Sequence, residues 1–266
     1  MRDWSRLVRI EKHQAPDGIS CLTFADENAS ARRAPPLVFV VHGLLSRKER
    51  HSELCLALAY AGFTACALDA RSHGERTTPE GLARLSGALG MDFLWAFADA
   101  VIGTAADLPL VADYLGHDDY GVIGHSMGGY VALRAGASDE RVRAIVSVAG
   151  NPDWSLLPQG NGDGTDGPFL PPEVAELALR ESPLGQAARF FPRPLLMLHG
   201  DVDTVVPIAG HRALYAALRP RYDDAENRDR LSLIEYPGVG HDWLPDMAER
   251  AVAWMTRYLS PAENAT

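Results

Sequence analysis

The sequence predicts an α/β fold: a mainly parallel sheet of eight strands with helices on both faces. Short, wholly apolar, β-branched runs such as Leu37 to Val41 are typical of strands that are buried on both faces of a parallel sheet. These runs alternate along the chain with amphipathic segments of helical spacing. Strands that alternate with helices imply right-handed crossovers and therefore parallel pairing.

The expected elements follow in chain order. The predicted strands are Arg6–Glu11, Ile19–Ala25, Leu37–Val41, Phe63–Asp69, Tyr120–Gly124, Val142–Ala149, Pro194–His199 and Leu231–Tyr236. The predicted helices are Arg47–Ala61, Met91–Leu115, Ser126–Ala137, Pro207–Leu218 and Met247–Leu259. The turn Pro16-Asp17-Gly18 joins the first two strands into a hairpin. We expect an interruption near Pro109, because proline removes a helical N–H, and a loop over residues 71–90.

The 266 residues suit one domain over residues 1–266, because α/β domains often exceed the usual domain size without dividing. Residues 151–191 do not fit the alternation. They begin with Gly- and Pro-rich sequence and carry only a short helical stretch near Glu173 to Arg180. About forty residues without a strand exceed a plain connection, so we expect a small lid insertion over the mouth of the site.

Composition excludes several classes of function. The formal net charge of −10 disfavours nucleic-acid and anionic-membrane partners, which attract clustered Lys and Arg. The three cysteines, Cys21, Cys55 and Cys66, have no spacing of a disulfide framework or zinc site. No i, i+4 histidine pair encloses a glutamate, and no Gly-rich nucleotide motif occurs, so neither a metal nor a cofactor is expected.

The amino terminus carries charges throughout and has no apolar core of a signal peptide. No window approaches 18 uncharged apolar residues. We therefore expect a cytoplasmic protein, and the oligomeric state is not readable from the sequence.

One motif supplies a nucleophile. Gly124-His125-Ser126-Met127-Gly128 matches G-x-S-x-G, in which a sharp strand-to-helix turn exposes the serine Oγ. Both glycines are needed because side chains there would collide with the neighbouring strand and helix. The pattern by itself is weak, but a strand-like run precedes it and a helix-like run follows it. We therefore interpret Ser126 as a nucleophile.

A serine hydroxyl needs a neighbouring base, and the base needs an orienting carboxylate. In this architecture the carboxylate and then the histidine follow the serine in the chain. Both Asp201 and Asp203 follow the strand that ends at His199. We favour Asp203, because a few residues of turn let its side chain point back, whereas Asp201 is suited to backbone amides within the turn. His241, in a glycine-rich loop after the last strand, is the expected base.

Acyl transfer also requires donors for the oxyanion of the tetrahedral intermediate. The backbone N–H of Met127 is one candidate, and that of Leu44, in the loop after the third strand, is the other. His42 is expected to buttress this loop. The other histidines look structural: His199 ends a buried strand, His211 lies within an expected surface helix, and His51 is expected at the surface or at a helix cap.

Four segments carry a resemblance to the α/β-hydrolase superfamily, in that superfamily's order. They are VHGLL at 41–45, GHSMG at 124–128, GDVDTVVP at 200–207 and GVGH at 238–241. The stretches HGLLSRKE and DARSHGER resemble bacterial esterases of the dienelactone-hydrolase-like and prolyl-oligopeptidase-like branch. The resemblance implies an α/β-hydrolase fold and a carboxylesterase.

Our hypothesis is therefore hydrolysis of small, short-acyl carboxylic esters by Ser126, His241 and Asp203, through an acyl-enzyme. A cysteine nucleophile, as in dienelactone hydrolases proper, is absent, and the chain has no room for the propeller domain of a prolyl oligopeptidase. Dehalogenases and epoxide hydrolases of this fold place an aspartate at the serine position. Thioesterase or lactonase activity with the same triad, or a non-catalytic binding protein on this fold, stay open.

Overall fold

A single eight-stranded sheet organises the chain in the computed structural model, which describes residues 7–27, 34–87, 90–156 and 172–259. The strands are β1 (Val8–Ala15), β2 (Ile19–Asp26), β3 (Leu37–Val41), β4 (Thr64–Leu68), β5 (Tyr120–His125), β6 (Val142–Val148), β7 (Leu195–Gly200) and β8 (Leu231–Tyr236). Their order across the sheet is β1-β2-β4-β3-β5-β6-β7-β8. The predicted fold class is confirmed.

Pairing is antiparallel at one edge and parallel elsewhere. The hairpin of β1 and β2 pairs antiparallel, and β2 also pairs antiparallel with β4. Every pair from β4 through β3, β5, β6 and β7 to β8 is parallel. The carboxyl ends of the parallel strands therefore meet at one edge of the sheet, where an open α/β sheet places its ligand site.

Helices cover both faces of the sheet. They are α1 (Ser52–Tyr60), α2 (Pro79–Ser86), α3 (Met91–Leu115), α4 (Met127–Ser138), α5 (Pro172–Glu181), α6 (Ala209–Leu218) and α7 (Pro245–Leu259). Alternate residues of β3 face opposite layers: Phe39 joins the core under α3 and α4, and Val38 joins the core under α1 and α7. This two-sided burial explains the uninterrupted apolar runs in the sequence.

Two local predictions were wrong. Residues 71–90, expected as a loop, contain a 3-10 turn at Gly74–Arg76 and then α2. The signal was present: the Thr78 hydroxyl accepts from the amide of Gly81 at 3.0 Å as an N-cap, and Pro79 occupies the first helical position.

Pro109 does not interrupt α3, which is continuous over 25 residues. The residues around the proline are buried against the sheet, Leu108 and Val111 among them. This burial outweighs the missing hydrogen bond. The helix is also long and apolar enough to cross a membrane by length and composition, with a mean hydropathy of 1.4, but 67% of the apolar window is buried within the protein. Its composition is that of a core helix.

The described part of the expected lid packs on the domain. Trp154 is 1% exposed and belongs to the core, and Leu177 and Ala178 of α5 join the same core. An ion pair between Arg134 of α4 and Glu181 ties α5 to the helix that follows Ser126. Residues 157–171, which are 15 of the 41 residues of the predicted lid, lie outside the described residues.

Candidate active site

Ser126 lies in the turn between β5 and α4, with backbone angles φ 55° and ψ −120°. A positive φ is strained for a residue with a side chain, and the flanking glycines make the turn sterically feasible. A Cβ on Gly124 would lie 1.8 Å from the carbonyl oxygen of Gly128, and a Cβ on Gly128 would lie 2.1 Å from that of Val41. The predicted reason for both glycines, contact with the neighbouring helix and strand, is confirmed.

The structure brings Ser126, His241 and Asp203 together, although 115 residues separate the first two in the chain. Nε2 of His241 lies 2.8 Å from the Ser126 Oγ, and Nδ1 of His241 lies 2.7 Å from Oδ2 of Asp203. A carboxylate only accepts hydrogen bonds, so Nδ1 carries the hydrogen. Nε2 is then left as the acceptor for the serine hydroxyl, which is the arrangement a general base requires.

Asp203 is held in place by the loop after β7. Its Oδ1 accepts from the amides of Val205 at 2.9 Å and Val206 at 2.8 Å. Burial alone would raise the pKa of Asp203, but the hydrogen bonds from Val206 N–H and His241 outweigh it, so the pKa lies below its usual value. The carboxyl group is therefore ionised at neutral pH.

Asp201 takes the structural role, though with a different partner from the one expected. Its Oδ1 accepts from the amide of Gly238 at 2.7 Å, in the loop after β8. The predicted partners were amides within its own turn. Asp201 thus joins the loop of Asp203 to the loop that carries His241.

The loop after β3 lies directly against the nucleophile. A Cβ on Gly43 would lie 3.4 Å from the Cβ of Ser126 and 3.8 Å from its Oγ, which is ordinary van der Waals contact and shows how near the loop lies to the nucleophile. Burial lowers the pKa of His42 to about 4, so its ring is neutral at pH 7. Its Nδ1 donates to the Gly43 carbonyl at 2.7 Å, and its Nε2 accepts from the Ala70 amide at 3.1 Å. These bonds tie the loop of Leu44 to the loop after β4, which fits the predicted buttressing role.

Met127 is the first residue of α4, where an amide has no carbonyl partner within the helix. Leu44 is half-buried against the core, next to Gly43. The two predicted oxyanion donors therefore belong to segments that meet at Ser126.

An aromatic shell lies behind His241. The ring of His125 stacks on that of His241 with centroids 5.8 Å apart, and Trp243 packs edge-on to His125 at 5.4 Å. His51 contacts both His125 and Trp243. Of the two positions expected for His51, surface or cap, the structure shows the cap: His51 is the N-cap residue of α1 and is 7% exposed.

A second buried cluster lies below the loop after β3, and residue patterns alone did not reveal it. Nζ of Lys48 lies 2.6 Å from Oδ2 of Asp69 and 3.0 Å from Oε1 of Glu75. Asp69 also accepts from the amides of Lys48 and Glu75. The sequence did contain a signal for this cluster: Asp69 comes immediately after β4, and Lys48 comes six residues after His42, the first residue beyond β3.

A cavity of about 600 Å³ opens between the loop after β3 and the loop after β4. Leu45, Arg50, Ser72 and His73 are among the residues that line it. Because Leu45 follows Leu44 directly, this cavity adjoins the oxyanion loop. Within the described ranges, no group of three or more His, Cys, Asp or Glu residues is placed to hold a metal ion.

Comparison with known proteins places this geometry in context. Residues 36–178 match the sequence profile of the α/β hydrolase fold family. YitV of Bacillus subtilis (strain 168), which carries the name of an esterase, is 29% identical over 268 residues, covering 95% of this chain and all of YitV. Esterase LipC of Mycobacterium tuberculosis is 27% identical over 78% of this chain, which spans 53% of LipC.

Solved structures share the fold. The structure of TT1662 from Thermus thermophilus has a TM-score of 0.73 and 25% identity, and covers 96% of this chain and 99% of its own. A dienelactone-hydrolase-named structure from Klebsiella pneumoniae has a TM-score of 0.66 at 18% identity, with 95% and 100% coverage. An acylaminoacyl peptidase aligns at a TM-score of 0.70 and 17% identity, with 98% of this chain covering 43% of the peptidase.

Proposed function

The chain belongs to the α/β-hydrolase fold family, and from that premise we propose that it is a serine esterase that hydrolyses small carboxylic esters through an acyl-enzyme. The observation that carries the proposal is the continuous hydrogen-bonded line from Ser126 Oγ through His241 to Asp203. The esterase names of YitV and LipC support the same reaction class.

In the acylation step, the Ser126 Oγ attacks the ester carbonyl while Nε2 of His241 takes the hydroxyl proton. The carbonyl oxygen acquires a negative charge, for which the amides of Leu44 and Met127 are the proposed donors. His241 then gives its proton to the alcohol oxygen as the carbon–oxygen bond breaks. The alcohol leaves, and the acyl group stays on Ser126.

In the deacylation step, Nε2 of His241 takes a proton from water, and the resulting hydroxide attacks the acyl carbonyl. Breakdown of the second intermediate returns the proton to Ser126 Oγ and releases the carboxylic acid. Asp203 keeps its negative charge throughout and stabilises the imidazolium that forms in each half-reaction. The chemistry requires only water as the second substrate.

The surroundings of Ser126 support small ester substrates. Leu45 and Val205, on loops at opposite sides of the triad, are each more than half exposed and offer apolar contacts for a short chain. The cavity beside Leu45 is lined by both polar and apolar side chains, and the triad residues are not among those that line it, so the apolar contacts near Ser126 come from Leu45 and Val205. We therefore propose a preference for short acyl groups.

Covalent labelling tests the proposed reaction. A fluorophosphonate should label the wild-type protein at Ser126, and Ser126→Ala should abolish labelling and lower kcat on p-nitrophenyl acetate by about 10⁶-fold. A thermal melt of Ser126→Ala near that of the wild type would show that the loss is chemical. An unlabelled and inactive wild-type protein would instead favour a binding protein on this fold.

A series of p-nitrophenyl esters tests the chain-length preference. We expect the highest kcat/KM at about two to four acyl carbons, because the apolar surface beside Ser126 is small. An optimum at about twelve carbons or longer would contradict the preference without affecting the triad.

A further inference from the structure

A series of buried polar side chains, each in contact with the next, leads from Asp203 into the core. Nε2 of His199, at the end of β7, lies 3.2 Å from Oδ2 of Asp203 and 2.8 Å from the Val206 carbonyl. Nδ1 of His199 lies 2.8 Å from Nδ1 of His211 on α6. The last contact of this series joins Nε2 of His211 to the Ser147 hydroxyl of β6, at 3.0 Å. The helix that carries His211 was expected at the surface; α6 exposes residues such as Arg212, but His211 lies on its buried face and is 0% exposed.

The partners determine where each hydrogen lies. The Val206 carbonyl and the Asp203 carboxylate can only accept, so Nε2 of His199 carries a hydrogen. In a neutral ring, Nδ1 of His199 is then an acceptor, and Nδ1 of His211 must donate to it. Nε2 of His211 is consequently an acceptor for the Ser147 hydroxyl at 3.0 Å, and the Gly129 carbonyl, at 3.3 Å, is the other acceptor within reach of that hydroxyl. Burial lowers the pKa of both His199 and His211, which keeps both rings neutral.

Each oxygen of Asp203 is therefore held by two donors. The amides of Val205 and Val206 donate to Oδ1, and His241 donates to Oδ2. Nε2 of His199, whose N–H also serves the Val206 carbonyl, lies 3.2 Å from the same Oδ2. The two histidines approach the same oxygen, and this limits rotation of the carboxylate about its Cβ–Cγ bond. A carboxylate that rotates would lose its 2.7 Å bond to His241.

We propose that His199 is a positioning residue for the triad, which orients Oδ2 of Asp203 toward His241 and is itself held in the required tautomer by His211 and Ser147. This inference rests on the proposed esterase function. His199 acts through Asp203 and has no contact with the reacting atoms. Among the residues that the structure describes, the contacts of Asp203 are neutral donors and no lysine or arginine, so its negative charge remains available to His241.

Other charged and titratable groups around His199 and Asp203 are accounted for. Glu235 pairs with His199 in the register of β7 and β8, but its carboxylate binds Arg212. Tyr130 of α4 is buried near Asp203, and burial raises the pKa of its hydroxyl well above neutrality. His125 stacks on His241, and burial lowers its pKa to about 3, which keeps its ring neutral. His241 is the other titratable neighbour of Asp203. The acid limb of the pH profile therefore reports on the His241–Asp203 pair.

Two conservative variants separate positioning from packing. In His199→Asn the shorter amide can still accept from His211 but ends short of Asp203, whereas in His199→Gln the longer amide reaches Asp203. We expect His199→Asn to lower kcat on p-nitrophenyl acetate about tenfold, with KM within about twofold, because one hydrogen bond to a charged group is lost. His199→Gln should keep kcat within about threefold of the wild type.

The pH profile gives a readout that a purely structural role would not move. With one donor fewer, the charge of Asp203 acts more fully on the imidazole, so the acid limb of kcat/KM should move upward by about half a pH unit in His199→Asn. Leu196→Ala is the control, since it opens a cavity in the same strand without contacting Asp203. It should lower the melting temperature and leave kcat and the acid limb unchanged.

The outcomes distinguish the two proposals. An active wild type with an unchanged His199→Asn, or equal losses in the Asn and Gln variants with an unmoved acid limb, overturns the positioning role alone. A wild type that neither reacts with fluorophosphonate nor hydrolyses any ester overturns the esterase function, and the positioning role falls with it. The Asn-specific loss with a shifted acid limb supports both.

Discussion

Two buried aspartates follow strands of this sheet, and their surroundings have opposite electrostatics. Asp69, after β4, has the ammonium of Lys48 at 2.6 Å and is 0% exposed. Asp203, after β7, is bound by backbone amides and histidine N–H groups within the described residues, and by no lysine or arginine. The charge of Asp69 is neutralised locally and fastens two loops. The charge of Asp203 is stabilised without being neutralised, which is what a group that must stabilise an imidazolium requires.

The contrast shows how one residue type serves two purposes at the same edge of a sheet. Lys48 and Asp69 join the loop after β3, which carries the proposed oxyanion donor Leu44, to the loop after β4, and removing Lys48 leaves the Asp69 carboxylate buried without its cation. Neutral donors around Asp203 lower the pKa of its carboxyl group and leave its negative charge free to stabilise a positive charge on His241. The following variants test whether the two aspartates differ in this way.

The largest effect is expected at Asp203. Asp203→Asn removes the charge and permits the wrong tautomer of His241, so kcat should fall by about 10⁴-fold. The measurement is kcat on p-nitrophenyl acetate, with circular dichroism to show that the fold is retained. A loss of less than about tenfold in a folded variant would contradict a triad role for Asp203.

A stability effect is expected at the other aspartate. Lys48→Met leaves the Asp69 carboxylate buried without its cation, and should reduce the free energy of unfolding by about 3–5 kcal/mol. Urea denaturation measures the loss. The acid limb of the kcat/KM profile should stay at the wild-type pH, since Asp203 is untouched.

The double variant Lys48→Met with Asp69→Asn is the matched control for that experiment. Because it removes both charges, it should be more stable than Lys48→Met alone. If the double variant loses as much free energy of unfolding as Lys48→Met, or more, Lys48 and Asp69 stabilise the protein through packing rather than through their ion pair.

The smallest effect concerns the aromatic shell behind His241. Burial lowers the pKa of His51 from 6.5 to about 4, so the unfolded chain takes up a proton near pH 6.5 and the folded protein does so only near pH 4. Protonation of the unfolded state therefore reduces stability as the pH falls through this window. Between pH 7 and pH 5 the His51 contribution to this loss is about 1–2 kcal/mol.

His51→Phe removes this titrating group, and its ring keeps the contacts with His125 and Trp243. Urea denaturation at pH 7 and pH 5 should show a smaller pH-dependent loss in the variant than in the wild type. His42 and His125, also buried with pKa values lowered to about 4 and about 3, keep part of the dependence in both proteins. Identical losses would show that His51 is accessible to protons in the folded state.

Local sequence determined the strands, the elbow and the order of the proposed site residues. The strands β3 and β5 could be recognised as apolar runs because both faces of a parallel sheet are buried. Gly124 and Gly128 could be recognised because backbone atoms occupy the space that a Cβ would need at either position. Asp203 and His241 followed from the order of elements, since the parallel strands bring their carboxyl ends to one edge.

Only the tertiary structure decided the surroundings of those residues. His199 and His211 lie on different elements, and the twist of the sheet against α6 decides that their rings meet beside Asp203. The same holds for Lys48 and Asp69, 21 residues apart, and for His51 against His125. Periodicity and motifs report which face of an element is buried, but hydrogen bonds between side chains depend on distances between elements, and packing alone determines those distances.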